Sequence, residues 1–226
     1  MRSLWYPHPM RLPAGPATQQ PDPHRPHTGG LPRLPDEYYQ GDSVVHWTLT
    51  VLDRATGWLS GPFHALFREL MLHAAAREGI LCPTYCLMPD HVHLVWIGLW
   101  LETNQLNGMA FLRTHLEPAL APAKFQPQAH DHVLRAEQRR KNAFAKACLY
   151  DLNNPVRAGL VTRPEAWKFN GAVVPGYPRL HPLEADYWPV LWKLLAKARR
   201  PDAGNIIRPP FHLGPGPKVL RDEPTL

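Results

Sequence analysis

CLMPDHVHLVW, residues 86–96, decides how the rest of the chain is read. Two histidines, His91 and His93, sit one residue apart in an apolar run that begins just after a proline. On a β-strand alternate side chains point to opposite faces, so the two imidazoles share a face while Val92 and Leu94 point the other way. Imidazoles displayed side by side on a rigid strand are half of a metal site. Alone, a His-x-His strand more often marks partly buried histidines than ligands, so the reading depends on what the rest of the chain brings to that face.

The Pro89–Asp90 step before the histidines has turn chemistry, and residues 80–87 before it are apolar and rich in β-formers. Two strands joined this tightly pair as an antiparallel hairpin. Working outward, VVHWTLTVL at 44–52 is a first strand, rich in β-branched and aromatic residues. Between it and the hairpin lies the clearest helix. Ser60 or Gly61 caps it, Pro62 suits its first turn, and Phe63, Leu66, Phe67, Leu70, Met71 and Ala74 repeat at helical spacing until Gly79. A second helix is expected over 104–117, a short fourth strand in HVLR, a third helix over 136–154 stopped by Pro155, and a last helix over 187–199. Residues 162–183 read as loop. The order β-α-β-β-α-(β)-α predicts an α+β fold: a ferredoxin-like antiparallel sheet with helices packed on one face.

Composition sets the limits. The chain has 226 residues, 44% hydrophobic, which suits one globular core with extensions. Residues 1–41 are dense in Pro, Gly, His and Arg and read as an extended or disordered arm, with Tyr38 and Tyr39 able to dock it. Residues 42–183 form the expected main domain, and 184–226 a helix followed by a basic Pro/Gly-rich tail. A net charge of +6 favours anionic partners, nucleic acid first. The three cysteines, Cys82, Cys86 and Cys148, give no disulfide framework and point to the reducing cytoplasm. No apolar run approaches the roughly 18 residues of a membrane span, and no signal peptide is evident.

The third helix carries LYDLNNPVRAGLV, residues 149–161. Tyr150 and Asn154 are four apart and lie on one helical face. A tyrosine hydroxyl can act as a nucleophile, but with a free pKa of about 10 it needs an activated electrophile. A metal ion polarising a phosphoryl oxygen supplies that activation. The carbonyl oxygen of Asn154 suits a hard cation such as magnesium or manganese, whereas imidazoles alone would suggest zinc or another transition metal. If this helix packs beside the sheet, Asn154 completes what His91 and His93 begin. A structural zinc site on Cys82, Cys86, His91 and His93 competes with this reading, although zinc fingers use longer His spacings.

MPDHVHL at 88–94 resembles the His-hydrophobic-His motif of single-tyrosine transposases, and YDLNNPVRAGLV at 150–161 is similar to the tyrosine motif of their REP-associated branch. His46 and Thr48 on the first strand and DHVLR at 131–135 match in kind, so the resemblance spans roughly residues 42–175. It implies a transposase that nicks and rejoins single-stranded DNA through a covalent 5′-phosphotyrosine link, with Tyr150 as nucleophile. It also implies that His91, His93 and Asn154 hold a divalent cation, Mg2+ or Mn2+, with Zn2+ less favoured. The implied partner is single-stranded DNA folded into palindromic hairpins, met by a homodimer or a monomer, in a cytoplasmic, nucleoid-associated protein. Asp90 departs from the asparagine common there. The basic run Arg135, Arg139, Arg140, Lys141 and Lys146 leads into the nucleophile, and Arg157 follows it, so phosphate contacts are expected from all six. The alternative from another class is a non-catalytic hairpin-binding protein on the same fold, which has no need of Tyr150, His91, His93 and Asn154 together.

Overall fold

The computed structural model describes residues 32–198. Most of the arm assigned to 1–41 and the tail after the last helix lie outside the described residues. The elements are β1 (Val44–Thr50), α1 (Gly61–Glu78), β2 (Ile80–Met88), β3 (His91–Gly98), α2 (Gln105–Leu116), β4 (His130–Val133), α3 (Ala136–Arg140), α4 (Ala143–Arg157), β5 (Asn170–Val173) and α5 (Tyr187–Ala198). The strands form one sheet in the order β4-β1-β3-β2-β5, antiparallel at every pairing. The fold is α+β, as expected, with the β2–β3 hairpin at its centre.

Local chemistry explains the boundaries. Ser60 Oγ accepts the Phe63 N–H to cap α1, and Gly79 ends it at φ 63°, a left-handed conformation that costs glycine little. Asn104 caps α2 by accepting from the N–H groups of Leu106 and Asn107. Tyr39 is fully buried against Trp47 and donates its hydroxyl to Asp131 on β4, which fixes the chain just before β1.

Alternation along the strands divides the core in two. Trp47, Leu49, Val92, Leu94 and Trp96 face α1 and α2 together with Phe67, Met71, Met109 and Leu112. The residues between them, Val44, Val95 and Ile97, pack with Phe144, Cys148, Trp188 and Leu191 of α4 and α5. Helices on one face therefore describes α1 and α2 alone, because the opposite face of the sheet is also apolar over half its length and is covered by α4 and α5.

Three further expectations change. The stretch 162–183 contains β5, a four-residue edge strand on β2 too short to carry a periodic signal. The single helix over 136–154 is broken at Asn142, which sits at φ 62° and separates α3 from α4. Helix α4 then runs through Pro155 to Arg157. Proline fits there because the last turn is closed from outside it: Ala158 N–H donates to Asn154 O and Leu160 N–H to Pro155 O. Among the described residues no helix is long and apolar enough to cross a membrane.

Candidate metal and nucleophile site

The half of the sheet that α4 and α5 leave uncovered is polar. In register across it lie Thr50 beside His91 and Thr48 beside His93, with His46 one pair further along β1. His91 and His93 point to the same face, as the spacing predicts, and their Nε2 atoms lie 3.0 Å apart.

Each ring is fixed from behind by an oxygen. His91 Nδ1–H donates to Asp90 Oδ1 at 2.6 Å, and His93 Nδ1 meets Thr48 Oγ1 at 3.0 Å. Bonds of this kind aim the opposite nitrogen and raise its donor strength, which is how ligating histidines are usually held. A hydroxyl can donate or accept, so Thr48 suits His93 with either nitrogen protonated. Burial, helped by the positive surroundings of His91, His46 and Arg157, pulls the His93 pKa down to about 3. His93 is therefore neutral at pH 7, the form in which imidazole binds a metal. Two convergent, oriented, neutral-capable nitrogens fit a divalent cation.

Helix α4 supplies the other wall. Tyr150 is 40% exposed, so its hydroxyl is open to a large substrate. Its ring stands edge-on to His93 at 5.5 Å between centroids and to His46 at 6.0 Å. Arg157 lies over that ring, its guanidinium carbon 4.3 Å from the centroid. Asn154, one turn after Tyr150, is 9% exposed, and its side-chain nitrogen has no hydrogen-bond partner. A buried amide with an unmet polar atom costs free energy unless function requires it.

Two residues of this site escaped the sequence reading. Asp151 is fully buried beneath Tyr150. Its Oδ1 lies 2.8 Å from His46 Nε2, and its Oδ2 accepts from Thr84 Oγ1. One carboxylate thus ties α4 to both β1 and β2. Burial raises the Asp151 pKa against the pull of His46; burial would lower that of His46, but the carboxylate more than offsets it and raises it. His46 also stacks on His93 at 5.4 Å. His46, His93 and Asp151 each bring a ligand atom within 4.8 Å of the others, a group able to hold a metal ion. The sequence reading noted His46 on the first strand as part of the resemblance and gave it no place among the metal ligands. The overlooked signal was an acidic residue on the buried stripe of an amphipathic helix, between Cys148 and Leu152.

The competing cysteine site is not assembled. The register shift between Leu81 and Thr84 turns Cys82 toward the α1 side, with Tyr85 and Leu87, while Cys86 pairs with His93 on the opposite side. Burial pushes both thiols well above their ordinary range, away from the thiolate a metal needs.

The described residues of the basic run have separate surroundings. Lys146 is exposed on α4, four residues before Tyr150 and on its face. Arg135 lies over the ring of Tyr38, Arg139 donates to the carbonyl of Asp42, and Lys141, just past α3, pairs with Glu137 of that helix. Arg140 is the last residue of α3. Arg157 is in contact with the Tyr150 ring.

No protein-family model matches the chain, and no curated protein matches it. Among solved structures it is similar to a REP-associated tyrosine transposase bound to a REP hairpin. The identity is 17% and the TM-score 0.52, over 63% of this chain and 82% of that one. The polypeptide described here has the fold of that transposase.

Proposed function

We propose that this protein nicks and rejoins single-stranded DNA at hairpin-forming sequences, using Tyr150 as the nucleophile. The observation that carries the reading is the meeting of Tyr150 on α4 with the His91–His93 pair on β3. The hairpin bound to the structurally similar transposase supports the choice of substrate.

In this reading His91 Nε2, His93 Nε2 and the side-chain oxygen of Asn154 hold a divalent cation, Mg2+ or Mn2+. Such a cation would supply Lewis-acid polarisation of the scissile phosphate. Tyr150 loses its proton as its oxygen bonds to phosphorus. The bond to the 3′ oxygen breaks, and that oxygen leaves as a free 3′-OH after gaining a proton. The 5′ phosphate stays on Tyr150, and attack by a 3′-OH reverses the step. Arg157, stacked on the ring, is close enough to share the charge of the phosphate. Lys146, with Arg135, Arg139, Arg140 and Lys141 further back, binds flanking phosphates without reading sequence.

The test is a denaturing gel of the full chain incubated with a hairpin-bearing single strand and Mn2+. The wild type is expected to give a covalent adduct and a 3′-OH fragment. Tyr150→Phe is expected to lose both, while binding changes by less than about threefold. An adduct that persists in Tyr150→Phe removes the assignment. Tight binding with no nick in any divalent metal would instead favour a hairpin-binding protein on this fold.

A further inference from the structure

The turn that carries Asp90 is more elaborate than a hairpin requires. Asp90 Oδ1 accepts from His91 Nδ1 at 2.6 Å, and Asp90 Oδ2 accepts from Arg54 Nη1 at 3.1 Å. The backbone of Asp90 is pinned too, its carbonyl accepting the Val51 N–H at 3.0 Å. Arg54 reaches Asp90 from a strained segment: Asp53 and Arg54 both sit in the left-handed region, at φ 53° and 54°. For residues with a Cβ this conformation is strained, and consecutive examples are rare. The salt bridge is half-exposed, so it offsets little of that strain. Stability of the turn does not account for the arrangement.

We infer that Asp90, braced by Arg54, is a positioning residue that tunes His91 as a metal ligand and raises the affinity of the site for transition metals. The inference rests on His91 and His93 being ligands. The physical basis is general: an imidazole whose Nδ1–H is held by a carboxylate is a stronger donor at Nε2 than one held by a neutral amide, and its ring is fixed facing the cation. Arg54 occupies the second oxygen of Asp90, so the carboxylate serves His91 and is not itself free to ligate. The metals favoured by a stronger nitrogen donor are Mn2+, Co2+ and Zn2+ over Mg2+.

The experiment is a titration of the full chain with Co2+, followed by its visible absorption bands and by calorimetry, and repeated with Mn2+ by calorimetry. Asp90→Asn is expected to weaken both metals about tenfold, the lower end of the usual effect of such partners, because an amide keeps the hydrogen bond without the charge. Asp90→Ala should approach about a hundredfold. The Co2+ bands at saturation and the melting temperature of the metal-free protein should stay as in the wild type, since neither the ligand set nor the fold is altered. Unchanged affinity in Asp90→Asn overturns the inference, as do Co2+ bands that reveal a lost ligand. His91→Ala separates the two levels. If it abolishes Co2+ binding while Asp90→Asn changes nothing, the ligand reading stands and the tuning fails. If His91→Ala binds as the wild type, or the wild type binds neither metal, the ligand reading fails and takes the inference with it.

Discussion

At the scale of single residues, Asp151 sets the position of the site. It is adjacent in sequence to Tyr150 yet fully buried, in the interface of α4 with the sheet. Its two oxygens are met by His46 and Thr84. Asp151→Ala would leave both partners unmet, and the expected cost is about 1–3 kcal/mol of folding free energy, measured by urea denaturation. Stability within about 0.5 kcal/mol of the wild type would show that the contact does not hold the helix. Single residues were also where the sequence was most and least readable. His91, His93, Tyr150 and Asn154 stand in short local patterns, legible through their spacing and through the resemblance to a known motif. The His46–Asp151 contact spans 105 positions, and nothing in either local sequence names its partner.

At the scale of elements, register does the positioning. The hairpin pairs Met88 with His91, and β1 brings Thr48 opposite His93, so the Nδ1 partner of His93 follows from strand pairing while that of His91 is its own neighbour in the turn, Asp90. The hairpin and the α1 boundaries were legible because their signals are local: a Pro–Asp turn, a serine cap, a terminal glycine. Strand β5 and the break at Asn142 were not, because a four-residue edge strand and one left-handed residue are set by what they pack against. The end of β3 depends on a close approach of the same kind. Gly98 lies against the backbone of Gly41, and a Cβ there would overlap the Gly41 carbonyl oxygen, which cannot move as a side chain can. Gly98→Ala is expected to destabilise the protein by about 1–3 kcal/mol, read as a lower urea midpoint at unchanged slope. An unchanged midpoint would mean that the turn at Gly41 is free to shift.

At the scale of the whole molecule, two helical layers enclose the sheet and leave one polar quarter open, which is where Tyr150 stands. The layer formed by α1 has its own buried polar group. Arg68 donates to the Tyr85 hydroxyl, which donates in turn to His64 Nε2 at 2.7 Å and keeps that imidazole neutral. Burial, with the Arg68 charge adding to it, lowers the His64 pKa to about 4. An unfolded histidine takes up a proton near pH 6.5, the folded one near 4, so between these values the unfolded state binds more protons and stability falls as the pH drops. His64→Gln is expected to flatten the denaturation midpoint between pH 6.5 and 4; an unaltered slope would assign that dependence to other groups.

The account turns on one point in space, where strand β3 and helix α4 contribute to a single centre. Anomalous diffraction from crystals of the full chain soaked in Mn2+ locates that point directly. The expected result is one strong peak within about 2.0–2.3 Å of His91 Nε2, His93 Nε2 and the side-chain oxygen of Asn154, with the Tyr150 hydroxyl beside it. A peak held by His46 and Asp151 without His91, or no peak on this face of the sheet, would contradict it.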